Sequence, residues 1–381
     1  MKTFDVYPRY SITPVRGSGN YVYDENDQEY LDFYGGHAVI SIGHTHPSYV
    51  KRIEDQLESL AFYSNSVQMP IQEELAEKLG GLSGYHDYQL FLCNSGAEAN
   101  ENALKLASFV TGRKKVIVFD RSFHGRTSLA VVATDNQKIV APINENDHFI
   151  RLALNDLDAV KQHLNEEVAA VMIEGIQGIG GIRLAEDDFL KEVEELCKAN
   201  QSLLILDEIQ SGYGRSGKFF AHQYAGITPD IISLAKGMGN GFPIGGVMIA
   251  PNIDSWYGML GATFGGNHLA CAAGLAVLEV LEKEDLVNNA KLMGEKLLAE
   301  LSEIPQLKNV RGRGLMIGFE LESDAKPFRT QILNQHKIFM GSASNPNTVR
   351  LLPPLTIGEV EIEKLIAAFK QVLKNETISI G

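Results

Sequence analysis

Four short stretches carry side chains that could do chemistry, and each follows an apolar run. Lys236 closes the run DIISLA and leads into the glycine-rich GMGNGFPIGG. An amine at the end of a buried run is partly desolvated, which lowers its pKa and makes the neutral nucleophile available. A lone lysine there also reads as a solvated surface residue, but the glycines beside it suit close approach of backbone to a ligand. Asp207 ends the run LLIL, where a half-buried carboxylate is costly without a charged partner. Against a protonated pyridine nitrogen it would keep the ring cationic and able to accept electrons from a carbanion. The plainer alternative is a cap for the next turn. Gln210, three residues on, could hydrogen-bond a ring hydroxyl or could be a turn residue.

The third stretch is NSGAEANENALKLA, after YQLFLC. Ser95, Gly96 and Ala97 would open a helix there and offer free backbone N–H groups and a hydroxyl to an anion, although a serine N-cap with a glycine turn explains them equally. The fourth is SFHGRT, after KVIVFD. Phe123 could stack on a flat ring and Arg126 could hold a carboxylate through two hydrogen bonds; a core phenylalanine and a surface arginine are the alternatives. Two further patterns point elsewhere. Gly212 to Phe219, GYGRSGKF, nearly fits a nucleotide-binding P-loop, but Phe219 stands where the metal-binding hydroxyl belongs. His44 and His46 in GHTHP have no evident third ligand, so they read as turn or structural histidines and no metal is expected.

The elements that must position these residues alternate along the middle of the chain. YQLFLC, KVIVFD, AAVMIEG, SLLILDE and DIISLA read as buried strands, while ENALKLASFV and DFLKEVEELCKAN have helical spacing. That alternation predicts an α/β fold, an open and mostly parallel sheet covered on both faces, with its ligand beyond the carboxyl ends of the strands. Residues 1–50, with a hairpin in GSGNYVYDENDQEYLDF, and residues 266–381 are expected to meet as a smaller α+β domain beside a large domain of residues 51–265. Within the C-terminal part, a long helical pattern runs to about Leu301, followed by the strand-like GLMIGFEL and VRLLPPLTI and a final helix.

The 381 residues carry a formal charge of −14, which argues against nucleic acid as a partner. No apolar run is long enough to span a membrane, and MKTFDVYPRY lacks the apolar stretch of a signal peptide. Cys93, Cys197 and Cys271, widely spaced and odd in number, read as reduced core thiols of a cytoplasmic protein.

In this order the motifs resemble the class III (ornithine-type) aminotransferases of pyridoxal phosphate (PLP) fold type I. The match runs from FDVYPRY to VRLLPPL and includes GHAVISIGHTHP, NSGAEANENALKLA, SFHGRT, IEGIQGIGG, LLILDEIQSGYGRSGKFF, SLAKGMGNGFPIGG and GATFGGNHLA. It is closest to the acetylornithine and succinylornithine branch. The resemblance implies that Lys236 is the Schiff-base lysine and proton shuttle, and that Asp207 is the partner of the pyridine nitrogen. It implies Gln210 beside the phenolic oxygen, Phe123 and Ile209 on the two ring faces, and Ser95, Gly96 and Ala97 around the phosphate. Thr263 matches a threonine that reaches the phosphate from the neighbouring subunit, so a homodimer with shared sites is implied. Arg126 and Tyr7 match the pair that holds the substrate α-carboxylate, Glu174 a substrate-site glutamate, and Arg350 the arginine for glutamate or 2-oxoglutarate.

The chain departs from the family's EP(I/V)QGEGG, reading EGIQGIGG: Glu174 is kept, Gly175 replaces proline, and Ile179 replaces a glutamate that pairs with the arginine matching Arg350. Isoleucine cannot pair, so Arg350 is expected to stay free or find another anion. A free cation would favour a donor with an extra carboxylate, such as N-succinylornithine.

Overall fold

A computed structural model of the protein describes residues 1–378. Its centre is a seven-stranded sheet in the order Gln89–Cys93, Gly245–Ile249, Ile231–Leu234, Leu203–Asp207, Val168–Glu174, Lys115–Phe119 and Phe149–Leu152. Only Gly245–Ile249 runs against the rest. Every residue of Val168–Glu174 and Leu203–Asp207 is buried, as expected of strands covered by helices on both faces, which explains their unbroken apolar sequences. The five runs read as strands lie in this sheet. The antiparallel Gly245–Ile249 and the edge strand Phe149–Leu152 join them.

The helix after Gln89–Cys93 shows why the local sequence folds as it does. Ser95 caps its first turn by accepting the Glu98 N–H. Ala99, Ala103, Leu104, Leu106 and Ala107 face the core, and Gly112 ends the helix in the left-handed conformation at φ 70°.

Both chain ends build a second seven-stranded sheet, in the order Pro14–Ser18, Tyr21–Asp24, Glu29–Phe33, Ile338–Ser342, Thr348–Leu351, Met316–Glu320 and Lys308–Arg313. The N-terminal hairpin enters it by pairing Leu31 with Ile338 in parallel. The single long helical pattern that the sequence predicts up to Leu301 is in fact two helices, His268–Lys283 and Leu286–Ser302. The break falls at Asp285, at φ 50°, a conformation that interrupts right-handed helix. Among the described residues no helix is long and apolar enough to cross a membrane, and no group of acidic, histidine or cysteine side chains could hold a metal.

The two stray motifs have structural work. His44 meets Asp32 at 2.9 Å, while His46 caps Pro47–Ser59 and contacts Glu284 at 3.0 Å. In the P-loop-like stretch, Lys218 turns back to the Gln223 carbonyl at 2.9 Å, and buried Arg215 reaches the carbonyls of Leu315 and Ile40, both at 3.2 Å. That loop ties the two sheets together. The three cysteines are free and buried.

Candidate active site

A cavity of about 290 Å³ opens beyond the carboxyl ends of the parallel strands, the place where this architecture binds ligands. Gly96, Ala97, Phe123, Arg126, Glu174, Ile179, Asp207, Ile209, Gln210 and Lys236 all face it, so residues up to 140 positions apart in the chain share one wall. Two neighbours that their local sequence does not single out, His124 and Gly125, line it too.

Asp207 is a carboxylate held in place. Its Oδ2 accepts His124 Nδ1 and Asn100 Nδ2, both at 2.8 Å, and its Oδ1 accepts the Ile209 N–H at 3.1 Å. Asn100 also donates to the His124 carbonyl at 2.7 Å, which locks donor to donor. Three donors fix the carboxylate's orientation toward the cavity. Asn100 had left a signal in the sequence: it is a polar residue inside the apolar stripe formed by Ala99, Ala103 and Ala107.

Lys236 follows the strand Ile231–Leu234 and sits at φ 46°, a left-handed conformation that costs a non-glycine residue energy. The turn is fixed from outside: Asn240 Oδ1 accepts the N–H groups of Ser41 and Ile42, and the Ser41 hydroxyl donates to the Gly237 carbonyl at 2.8 Å. Burial pushes the Lys236 amine below the ordinary lysine range, with Arg350 adding to the effect while Asp207 and Glu174 oppose it. A desolvated amine of this kind keeps more of its neutral, nucleophilic form.

Glu174 is the register neighbour of Asp207 on the adjacent strand. Its oxygens accept the N–H groups of Phe123 and Gly178, both at 2.9 Å, so it positions the loop carrying Phe123 as well as lining the cavity. Burial pushes its carboxyl up to about 7.

At the start of the Gly96–Thr111 helix, the Ser95 hydroxyl is engaged as the N-cap and does not line the cavity. The first-turn amides of Gly96 and Ala97 have no partner within the helix and lie on the wall. A Cβ at Gly96 would stand 2.9 Å from Ile209 Cδ1, so a larger residue there would push the Ile209 side chain aside. Gln210 donates to the His37 carbonyl at 3.0 Å, at the end of a turn in which Gly35, Gly36, His37 and Ala38 all have positive φ.

Besides Ser95, three of the expected residues lie off the cavity. Tyr7 is 70% exposed in the N-terminal segment, and Thr263 is exposed in the turn before the helix at His268. Arg350 is buried behind Gln210. Contrary to the sequence expectation, Arg350 is neither free nor paired with an anion. Its Nε donates to the Ser342 carbonyl at 2.6 Å and its Nη1 to Gln210 Oε1 at 3.3 Å. Burial lowers its pKa to about 10, so the guanidinium stays charged at neutral pH.

The donor set is chemically consistent with PLP. A helix start suits the phosphate, Phe123 and Ile209 offer the cavity an aromatic and an aliphatic surface for a flat ring, a braced carboxylate suits the ring nitrogen, and a desolvated amine suits the aldehyde.

The chain matches the family described as "Aminotransferase class-III" over residues 6–373. It is 40% identical over 386 aligned positions to an acetylornithine aminotransferase of Bacillus cereus, covering 99% of this chain and 98% of the relative. An acetylornithine aminotransferase of Archaeoglobus fulgidus is 42% identical over 363 positions, covering 94% and 95%. Among solved structures, an ornithine aminotransferase of Toxoplasma gondii with PLP at partial occupancy in its active site superposes with a TM-score of 0.90 at 30% identity, covering 98% of this chain and 94% of that one. This protein therefore belongs to the class III, PLP-dependent aminotransferases.

Proposed function

We propose that the protein moves the δ-amino group of an N-acylornithine to 2-oxoglutarate, giving an N-acylglutamate semialdehyde and glutamate, in arginine synthesis in the cytoplasm. The observation that carries this reading is the convergence of Lys236, Asp207 and the helix start on one cavity with Arg126 on its wall, in a chain about 40% identical end to end to acetylornithine aminotransferases.

PLP, when bound, supplies the aldehyde that takes up the amino group and a ring that stores the electron pair. The rest falls to the protein. The amides of Gly96 and Ala97 and the helix dipole favour the phosphate charge. Asp207, oriented by Asn100, His124 and the Ile209 amide, would hold positive charge on the ring nitrogen. Lys236 Nζ takes the proton from the substrate carbon that bears the nitrogen. Arg126, exposed on the cavity wall, suits the α-carboxylate of the donor. Arg350 is buried behind Gln210, so in this reading it meets a carboxylate of 2-oxoglutarate when its contact with Gln210 opens.

A second copy of the chain completes the site in this reading. Phe62, Tyr63, Trp256, Tyr257 and Phe264 are all at least 40% exposed, and Phe62 packs on Phe264 with ring centroids 5.3 Å apart. Exposed apolar surface of this extent marks an interface. The patch flanks Thr263, so a homodimer would carry that hydroxyl to the neighbouring phosphate.

The test compares acetylornithine, succinylornithine, ornithine and 4-aminobutyrate as donors for the wild type and for Lys236→Ala. We expect an acylornithine to be used best and the variant to lose turnover entirely. Near-normal turnover by Lys236→Ala would overturn the assignment, and a preference for free ornithine would move the protein to the ornithine aminotransferases. An acetyl-to-succinyl ratio that Arg350→Ala leaves unchanged would remove that arginine from acyl choice.

A further inference from the structure

Glu208 follows Asp207, is 1% exposed, and lines no part of the cavity. Its carboxylate nevertheless collects four donors. The Ser211 hydroxyl at 2.6 Å and the Ala221 N–H at 3.1 Å reach Oε2, while the His222 N–H at 2.9 Å and ring Nδ1 at 2.8 Å reach Oε1. The Gly212 N–H bonds back to the Glu208 carbonyl at 2.9 Å, so residues 208–212 form a closed turn. The two residues that follow Glu208 inside that turn are Ile209 and Gln210, both on the cavity wall.

The carboxylate is confined on its other side as well. A Cβ at Gly175, where the resemblance has proline, would lie 2.6 Å from Glu208 Oε1. His222 is fully buried, and its Nε2 meets the Tyr85 hydroxyl at 2.6 Å. With Nδ1–H given to the carboxylate, Nε2 accepts from Tyr85, and the chain Tyr85–His222–Glu208 ends on a group that must accept at both oxygens.

We propose that Glu208 is a positioning residue for the cofactor: by closing the 208–212 turn and anchoring it to residues 221–222, it holds Ile209 against the ring face and Gln210 towards the ring oxygen. The proposal rests on the PLP reading above. A residue that only stabilised the fold would change the melting temperature and leave the affinity of the folded protein for PLP alone.

The test titrates cofactor-free protein with PLP, followed by its visible absorbance, alongside thermal unfolding of the same samples. Glu208→Gln keeps the size but turns an NH₂ towards the donors. We expect PLP binding weakened by roughly tenfold or more, the scale of a lost hydrogen bond to a charged group. Ser211→Ala removes one of the four donors and leaves the carboxylate with the other three, and it should weaken binding in the same direction, by about threefold to tenfold. Either variant, folded at the assay temperature yet binding PLP as tightly as wild type, overturns the proposal. A wild type that takes up no PLP and shows no bleaching with borohydride overturns the PLP reading itself, a distinct outcome.

Discussion

The carboxyl edge of the large sheet and the exposed residues that the proposed reading sets at the rim of the site, Tyr7, Trp256, Thr263 and Phe264, are built on opposite terms. At the sheet edge three groups are braced: Asp207 by three donors, Glu174 by two amides, and the Lys236 turn by Asn240 and Ser41. On the rim, Tyr7 is 70%, Trp256 53% and Phe264 61% exposed, and Thr263 lies outside the cavity. One chain thus preorganises its own acid–base chemistry, where small displacements cost most. The rim is left unfinished in a single copy, and in the reading proposed here the partner completes it.

The comparison breaks most visibly at Asp207. Asp207→Ala should lower kcat by about 10²-fold or more at saturating PLP, the scale of removing one preorganised electrostatic partner from a dry site. A steady-state assay showing near-normal kcat would mean that the braced edge does not carry the chemistry.

The rim is tested by mixing subunits. Thr263→Ala should weaken PLP binding by about tenfold, as for a lost hydrogen bond to a charged group. Mixed with inactive Lys236→Ala, it should regain activity, because half of the hybrid sites then have both wild-type residues. If the mixture stays at the average of its parents, each chain builds its site alone.

The smallest effect concerns Glu174. Burial holds its folded carboxyl at about 7, above an ordinary value of 4.5. A raised carboxyl pKa means that the folded state keeps a proton the unfolded chain has released. The stability this contributes is therefore full below about pH 4.5 and is lost as pH rises through about 7. Melting temperatures of the cofactor-free protein should fall across that window, and Glu174→Gln should flatten the fall. Equal slopes in the two proteins would show that Glu174 titrates normally.

Much of this was legible in advance because buried parallel strands write themselves as unbroken apolar runs, and the residues that end those runs reach the site. Asp207 and Lys236 could be picked out on that ground. His124, which braces Asp207, could not, since it lies in a loop with no periodic pattern to depart from, while Asn100 shows only as a polar residue beside an apolar helical stripe. The break at Asp285 escaped for another reason: the helical periodicity continues through it, and only a single positive φ stops the helix.

The sequence by itself determined the chemistry of this protein: which residues end buried runs, which helix start is open to an anion, and which family has those motifs in that order. Only the tertiary structure decided how those groups are held. Arg350 takes the neutral Gln210 amide and a backbone carbonyl, while Glu208 gathers the donors of the turn that presents Ile209 and Gln210. Gln210 and Arg350 are 140 residues apart, so no local pattern encodes their contact. It arises because a buried charge takes the best acceptor that packing leaves within reach.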